Sequence, residues 1–304
     1  MFTNKRLQLI KRIPLKAVLE LDAKTILGEG ATWHPTEQKL YWVDIEGMAL
    51  HIYDPVTKIN RTLPTGSRTG CVVPVECGGA IVALEKGLHS INTTSARLDF
   101  LINPLEEGIR FNDGKCDPSG RFWVGSMALD QREGAAALYR FDKDQTIHKM
   151  LDNVTISNGI AWSADKKHMY FVDSPTNCIF VFDYDDASGN ISNRRTLVHI
   201  PADEGSPDGM TIDANGNLWT ALWGGNAVAC WHGGTGKMIE KIEVPAPHVS
   251  CCTFGGADLQ TLYITTAREG MSEEQLEKYP HSGGLFSVQP NVKGVPATLY
   301  KGKL

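Results

Sequence analysis

Six points along this 304-residue chain carry an oxygen-bearing side chain just ahead of a short apolar run. They are Glu29 in LGEG, Thr69 in RTG, Asn112 in FNDG, Asn158 in SNG, Asp208 in PDG and Ser250 in VSC. Four of the six are a carboxylate or a carboxamide. Their distance to the next aromatic-rich run is nearly constant: 11 residues from Glu29 to Leu40, 10 from Asn112 to Phe122, 11 from Asn158 to Met169 and 10 from Asp208 to Leu218. Asn-Gly and Asp-Gly are common turn pairs, so one such site alone signifies a turn. Four at a shared repeat position predict side chains that converge. Carboxylates brought together raise each other's pKa unless a cation lies among them. Carboxylate and carboxamide oxygens are donors that Ca2+ and Mg2+ prefer and Mn2+ accepts. A single divalent ion at the point of convergence is the expected chemistry.

The elements that must position these residues repeat with them. Aromatic and β-branched runs begin at Leu40 (LYWVD), Ile81 (IVALE), Phe122 (FWVGS), Met169 (MYFVD), Leu218 (LWTAL) and Leu262 (LYITT), spaced 41, 41, 47, 49 and 44 residues apart. Turns such as HPTEQK, DPSGR, SADKKH and DANGN announce them. Short strands joined by Gly, Asp, Asn and Pro turns are hairpin-linked antiparallel strands. Repeats of this length with about four strands each are propeller blades. The expected fold is therefore all-β, a six-bladed β-propeller spanning 14–304 as one domain, with 1–13 a flexible N-terminal extension. The six polar residues open the innermost strand of each blade, at the mouth of the central channel. Ring closure is expected to pair PLKAVLEL (Pro14 to Leu21) with ATLYKG near the C-terminus. One helix is expected, SEEQLEKY, with Ser272 as its N-cap. Trp33, Trp123, Trp162 and Trp219 follow the blade period and are expected to pack between blades.

Composition narrows the function. A net charge of −5 with no long basic run argues against nucleic acid as partner. No apolar run approaches the ~20 residues of a membrane span, and the N-terminal stretch lacks the apolar core of a secretory signal. A cytoplasmic protein is expected. The seven cysteines are an odd number, spread without a Cys-x-x-Cys pair, which agrees. The adjacent Cys251 and Cys252 are expected to face opposite sides of one strand. No Gly-x-Ser-x-Gly elbow and no His-x-x-x-His helix is present, which removes serine-hydrolase and zinc-protease sites.

The stretches LGEG, RFNDGKCDPSGRFWVGSM, ISNGIAWS, ISNRR, PDGMTIDANGNLW, SCCTFGG and TTAREGM resemble the regucalcin (senescence marker protein)/gluconolactonase/LRE family over nearly the whole chain. The resemblance implies a six-bladed propeller with one divalent metal, Ca2+, Zn2+, Mg2+ or Mn2+, held by Glu29, Asn158 and Asp208. It implies a small sugar lactone as substrate, contacted by Arg110, Asn112 and Asp130. Arg110 and Asn112 are two apart on a strand and so face the same way. Asp130 follows the second strand of its blade, which returns to that same mouth. Lactone hydrolysis needs a polarised carbonyl and an activated water, and Asp208 is the expected general base. A calcium-binding regulatory protein and a phosphotriesterase-like hydrolase are the alternatives.

Overall fold

The computed structural model describes residues 15–304; the expected extension, 1–13, lies outside them. The strands form six four-stranded antiparallel meanders. Their first strands are Gly28–His34, Thr69–Pro74, Ile109–Cys116, Ser157–Trp162, Ser206–Ile212 and His248–Gly255. These six contact one another in ring order, the first meeting the last, and so line a central channel. Each is followed outward by the aromatic strand of its blade, such as Lys39–Asp44 or Phe122–Ala128. A hub of buried strands under short polar turns follows from the alternation of apolar runs with Gly- and Asp-rich turns.

Local sequence builds the blades in a repeated way. In the third blade Asp117 opens the turn DPSGR: its Oδ1 accepts from the N–H groups of Ser119 and Arg121, each at 3.0 Å, and its Oδ2 accepts from Trp123 Nε1 at 3.0 Å. Asp213 in DANGN does the same for Asn215, Asn217 and Trp219 in the fifth blade. The turn carboxylate thereby pins the large aromatic residue that packs against the next blade. Trp123 meets Trp162 edge-on at 6.0 Å, Trp33 stacks on Tyr263 at 5.8 Å, and Trp219 meets Phe254 at 5.8 Å. Each pair joins two blades, as expected for packing rather than for a binding cage. Cys251 and Cys252 are both buried and unbonded, and they enter different core clusters on opposite faces of their strand. The helix Glu273–Lys278 carries Ser272 as N-cap, with a capping box closed by Gln275.

Closure differs from the expectation. Val18–Leu21 does join the last blade, but as its outermost strand against Leu285–Val288. The ATLYKG segment pairs elsewhere. Tyr300 donates its N–H to Pro74 O and accepts from Glu76 N, and Lys301 donates to Gly120 O. Together with the Asp213–Gly294 bridge, these contacts carry the C-terminal segment across the channel end remote from the mouth. Leu285–Val288 already follows the aromatic strand in its meander, so its free edge is the one that needs a partner.

Candidate active site

All six inner strands are irregular at one place. The pairing register slips between Glu29 and Thr32, Thr69 and Cys71, Phe111 and Gly114, Ser157 and Ile160, Pro207 and Met210, and Val249 and Cys251. The extra residue of a bulge re-aims a side chain, and Glu29, Asn112, Asn158 and Asp208, at four of these irregularities, line the cavity at the channel mouth. The glycines that follow serve a second purpose. A Cβ on Gly159 would sit 2.6 Å from Asp208 O, and one on Gly209 would sit 2.6 Å from Cys251 Sγ. Only glycine lets adjacent inner strands approach this closely at the hub.

A cavity of about 310 Å³ opens at the mouth. It is lined by Glu29, Arg110, Asn112, Asn158 and Asp208, so five of the six expected site residues come together. All five are buried. A directed chain of hydrogen bonds links them. Arg110 Nη1 donates to Asn112 Oδ1 at 2.7 Å and to Phe111 O at 2.9 Å. Asn112 Nδ2 donates to Asn158 Oδ1 at 3.0 Å and to Ser157 O at 2.8 Å. Asn158 Nδ2 donates to Ser174 Oγ at 2.8 Å, and Ser174 Oγ donates to Pro207 O at 2.6 Å. A guanidinium can only donate and a carbonyl can only accept, so both ends of the chain fix its direction. The orientation of both amides follows, with each Oδ1 turned away from Ser174.

Glu29, Asp113 and Asp208 are three buried carboxyl groups at the hub. Burial raises the Glu29 pKa to about 8, with the charge of Asp113 adding to it. Burial, then Glu29, then Asp113 push Asp208 well above the carboxylate range. Burial raises Asp113 too, against the pull of Lys115. The charge of Glu29 bears directly on Asp208, while Asp208 Oδ1 has no hydrogen-bond partner. An orphaned buried carboxylate oxygen among carboxyls whose ionisation burial opposes fits the donor chemistry of a divalent cation. A divalent cation and Lys115 together would balance three carboxylates. Among the described residues no group of three or more His, Cys, Asp or Glu side chains is placed to hold a metal ion; the carboxamide of Asn158 lines the same cavity as Glu29 and Asp208.

Asp130 is not brought to the cavity. Its side chain is 62% exposed and pairs with Arg132 at 3.1 Å. Its neighbour Gln131, in a left-handed conformation (φ 56°), lines the cavity instead. That one residue turns the chain, so a count along the strand misses the inward position by one. Glu269, Ser174 and Trp223 also line the wall. Trp223 stacks on His248 at 4.3 Å across the joint between the fifth and sixth blades. Glu269 is exposed as a residue, and partial desolvation of its carboxyl and the charge of Glu46 raise its pKa. All three lie at or just past the end of a second blade strand, a position that the repeat marks without telling which residue of its loop turns inward. At the other end of the channel, a smaller cavity of about 180 Å³ is lined by Lys115, Thr32, Thr211 and Thr253 and by no carboxylate.

The family model described as the SMP-30/gluconolactonase/LRE-like region matches residues 27–268. The chain is 41% identical over 290 residues to the Bacillus subtilis protein YvrE, named as a sugar lactone lactonase, covering 95% of this chain and 99% of that one. It is 37% identical over 292 residues to regucalcin of Danio rerio, with the same coverage of 95% and 99%. A crystal structure of regucalcin from Agrobacterium tumefaciens, described as a calcium-binding protein, matches with a TM-score of 0.90 and 27% identity, over 95% of this chain and 98% of that one.

Proposed function

This chain belongs to the SMP-30/gluconolactonase/LRE-like family, and on that premise we propose that it is a divalent-metal-dependent lactonase that opens a sugar lactone. The observation that carries the proposal is the convergence of Glu29, Asn158 and Asp208, from three blades, on the cavity that also holds Arg110 and Asn112. At about 310 Å³ the cavity is near the lower limit of roughly 300–1,000 Å³ for small-molecule sites, which suits a single sugar ring.

Glu29, Asn158 and Asp208 would hold the cation, which when bound supplies Lewis-acid polarisation of the lactone carbonyl and acidification of water. Asp208 acts as the general base. Its unpartnered Oδ1 accepts a proton as water adds to the carbonyl carbon. The ring C–O bond then breaks, Asp208 returns the proton to the ring oxygen, and the open-chain hydroxy acid leaves. Asn112 has both N–H donors in use, so it fixes the Asn158 oxygen and anchors Arg110. Arg110 uses Nη1 for that anchoring and presents the rest of its guanidinium to the sugar and to developing negative charge. Gln131 and Glu269 take the hydroxyl-orienting role expected of Asp130, because they line the cavity and Asp130 does not.

Calcium binding alone would give no purpose to Arg110 beside the ligands. The test is turnover of a panel of aldonolactones and one organophosphate by purified protein, with EDTA and after return of Mn2+, Mg2+, Ca2+ or Zn2+. Cation-dependent lactone hydrolysis is expected. Tight cation binding without turnover of any lactone would favour the regulatory alternative, and faster organophosphate turnover would favour the phosphotriesterase.

A further inference from the structure

We infer that Ser174 is the residue that sets the cation affinity of this site, by holding a carboxamide oxygen and a ligand-bearing backbone in register across two blades. This rests on the proposed cation site and adds a residue to it. Ser174 begins a single 3-10 turn, Ser174–Thr176, that leaves the second strand of the fourth blade. The turn is fixed on both sides. Asp173, ahead of it, accepts from Ile156 N at 2.9 Å, and Asn177 closes it in the left-handed region (φ 52°). The hydroxyl therefore has little freedom to move.

Its two bonds go to two different blades. It accepts from Asn158 Nδ2 at 2.8 Å within the fourth blade and donates to Pro207 O at 2.6 Å in the fifth. Pro207 immediately precedes Asp208 in the fifth-blade bulge. One hydroxyl thus ties the side chain of one proposed ligand to the backbone of the next. Because Pro207 O can only accept, the Ser174 proton is committed to it, and the Ser174 oxygen is left to receive an N–H from Asn158. This directs the nitrogen of Asn158 to Ser174 and its oxygen away, toward Asn112. Without the hydroxyl the amide loses the partner that distinguishes its two ends on this side. The Pro207 carbonyl also loses its tie across the blade joint. Groups that orient ligands in this way typically alter metal affinity by about 10–100-fold.

The experiment compares Ser174→Ala, Ser174→Thr and the parent protein by calorimetric titration with Mn2+ and with Ca2+, each after chelator treatment. Thermal unfolding is measured in EDTA. The expected result is a Kd for Ser174→Ala raised by about 10–100-fold, recovery in Ser174→Thr, and cation-free unfolding temperatures within a few degrees of one another. If Ser174→Ala proves unfolded, Ser174→Thr, which keeps the hydroxyl, and Ser174→Cys, which replaces it with a weakly hydrogen-bonding thiol, carry the comparison: Thr near the parent value and Cys weakened. A Kd for Ser174→Ala equal to that of the parent overturns the inference while leaving the site itself intact. A parent protein that binds neither cation overturns the proposed metal site, and this inference with it.

Discussion

Cation binding by this protein should expel protons, and its affinity should fall steeply with acid. Burial and the charge of Asp113 raise Glu29 to about 8, and burial with Glu29 and Asp113 pushes Asp208 well up. At neutral pH the cation-free hub therefore holds protons that a bound ion must displace. With one displaced proton governed by a pKa of about 8, affinity falls about 25-fold between about pH 8.5 and about pH 6.5, or about 1.9 kcal/mol. A second displaced proton on Asp208 steepens the fall. Titration calorimetry at several pH values, each in two buffers of different ionisation heat, reads both the slope and the number of protons released. Stability supplies a companion measurement. Glu29 stands above its ordinary value of 4.5 when folded, so its contribution is fully present below about 4.5 and is lost as pH rises through about 8. Unfolding temperature in EDTA should decline across that window, and saturating cation should remove the decline. An affinity independent of pH, with no dependence on buffer, would refute the placement of the ion among these carboxyls.

Asp208→Ala should lower lactone kcat at least about 100-fold and weaken cation binding. Its cation-free stability should change little, because the substitution removes a buried carboxyl that burial and Glu29 disfavour and whose Oδ1 has no hydrogen-bond partner; turnover at the parent rate would dismiss Asp208 as base. Gln131→Ala and Glu269→Gln should each raise KM for a sugar lactone by about 3–10-fold, about 1 kcal/mol, with Asp130→Ala unchanged. Steady-state kinetics that single out Asp130 would reverse that assignment. Asp117→Ala removes the buried carboxylate to which Arg121 Nε, Trp123 Nε1 and the Tyr184 hydroxyl all donate, leaving Arg121 a 3.8 Å pairing with Asp186 as its remaining carboxylate contact. Denaturant unfolding should show a loss of about 3–5 kcal/mol, and a loss below about 1 kcal/mol would show that the turn carboxylate is dispensable.

The ring and its hub were legible because both are periodic. A turn aspartate followed six residues later by tryptophan, as in Asp117–Trp123, recurs at Asp213–Trp219, and the polar residue ahead of each inner strand recurs with it. Repetition converts weak local signals into one strong one. The cavity wall was less legible because it is built from loops that differ in every blade. Asp130 and Gln131 exchange inside and outside through one left-handed residue, which no spacing rule reports. Glu269 lay in the TTAREGM stretch that carries the resemblance, yet its side chain could not be placed without the turn that follows Ala267. Ser174 was hidden for another reason, since its importance lies in two bonds to residues 16 and 33 positions away. Closure was half legible. Both terminal segments were visible, but only Val18–Leu21 forms a strand of the last sheet, while ATLYKG reaches the second and third blades through isolated contacts that no strand pattern reports.

That last sheet has a consequence for synthesis. Glu20 hydrogen-bonds to Ser287, a partner 267 residues further along the chain. At about 5–20 residues per second, a ribosome needs about 13–53 seconds to make that partner. Throughout that interval Val18–Leu21 has no mate and the nascent ring stays open. Its four-residue length makes it a poor template for pairing with other chains while it waits. The molecule locks only when nearly all of it has been translated, so chains interrupted late in synthesis should reach the proteolytic machinery unlatched, however well their first five blades have folded.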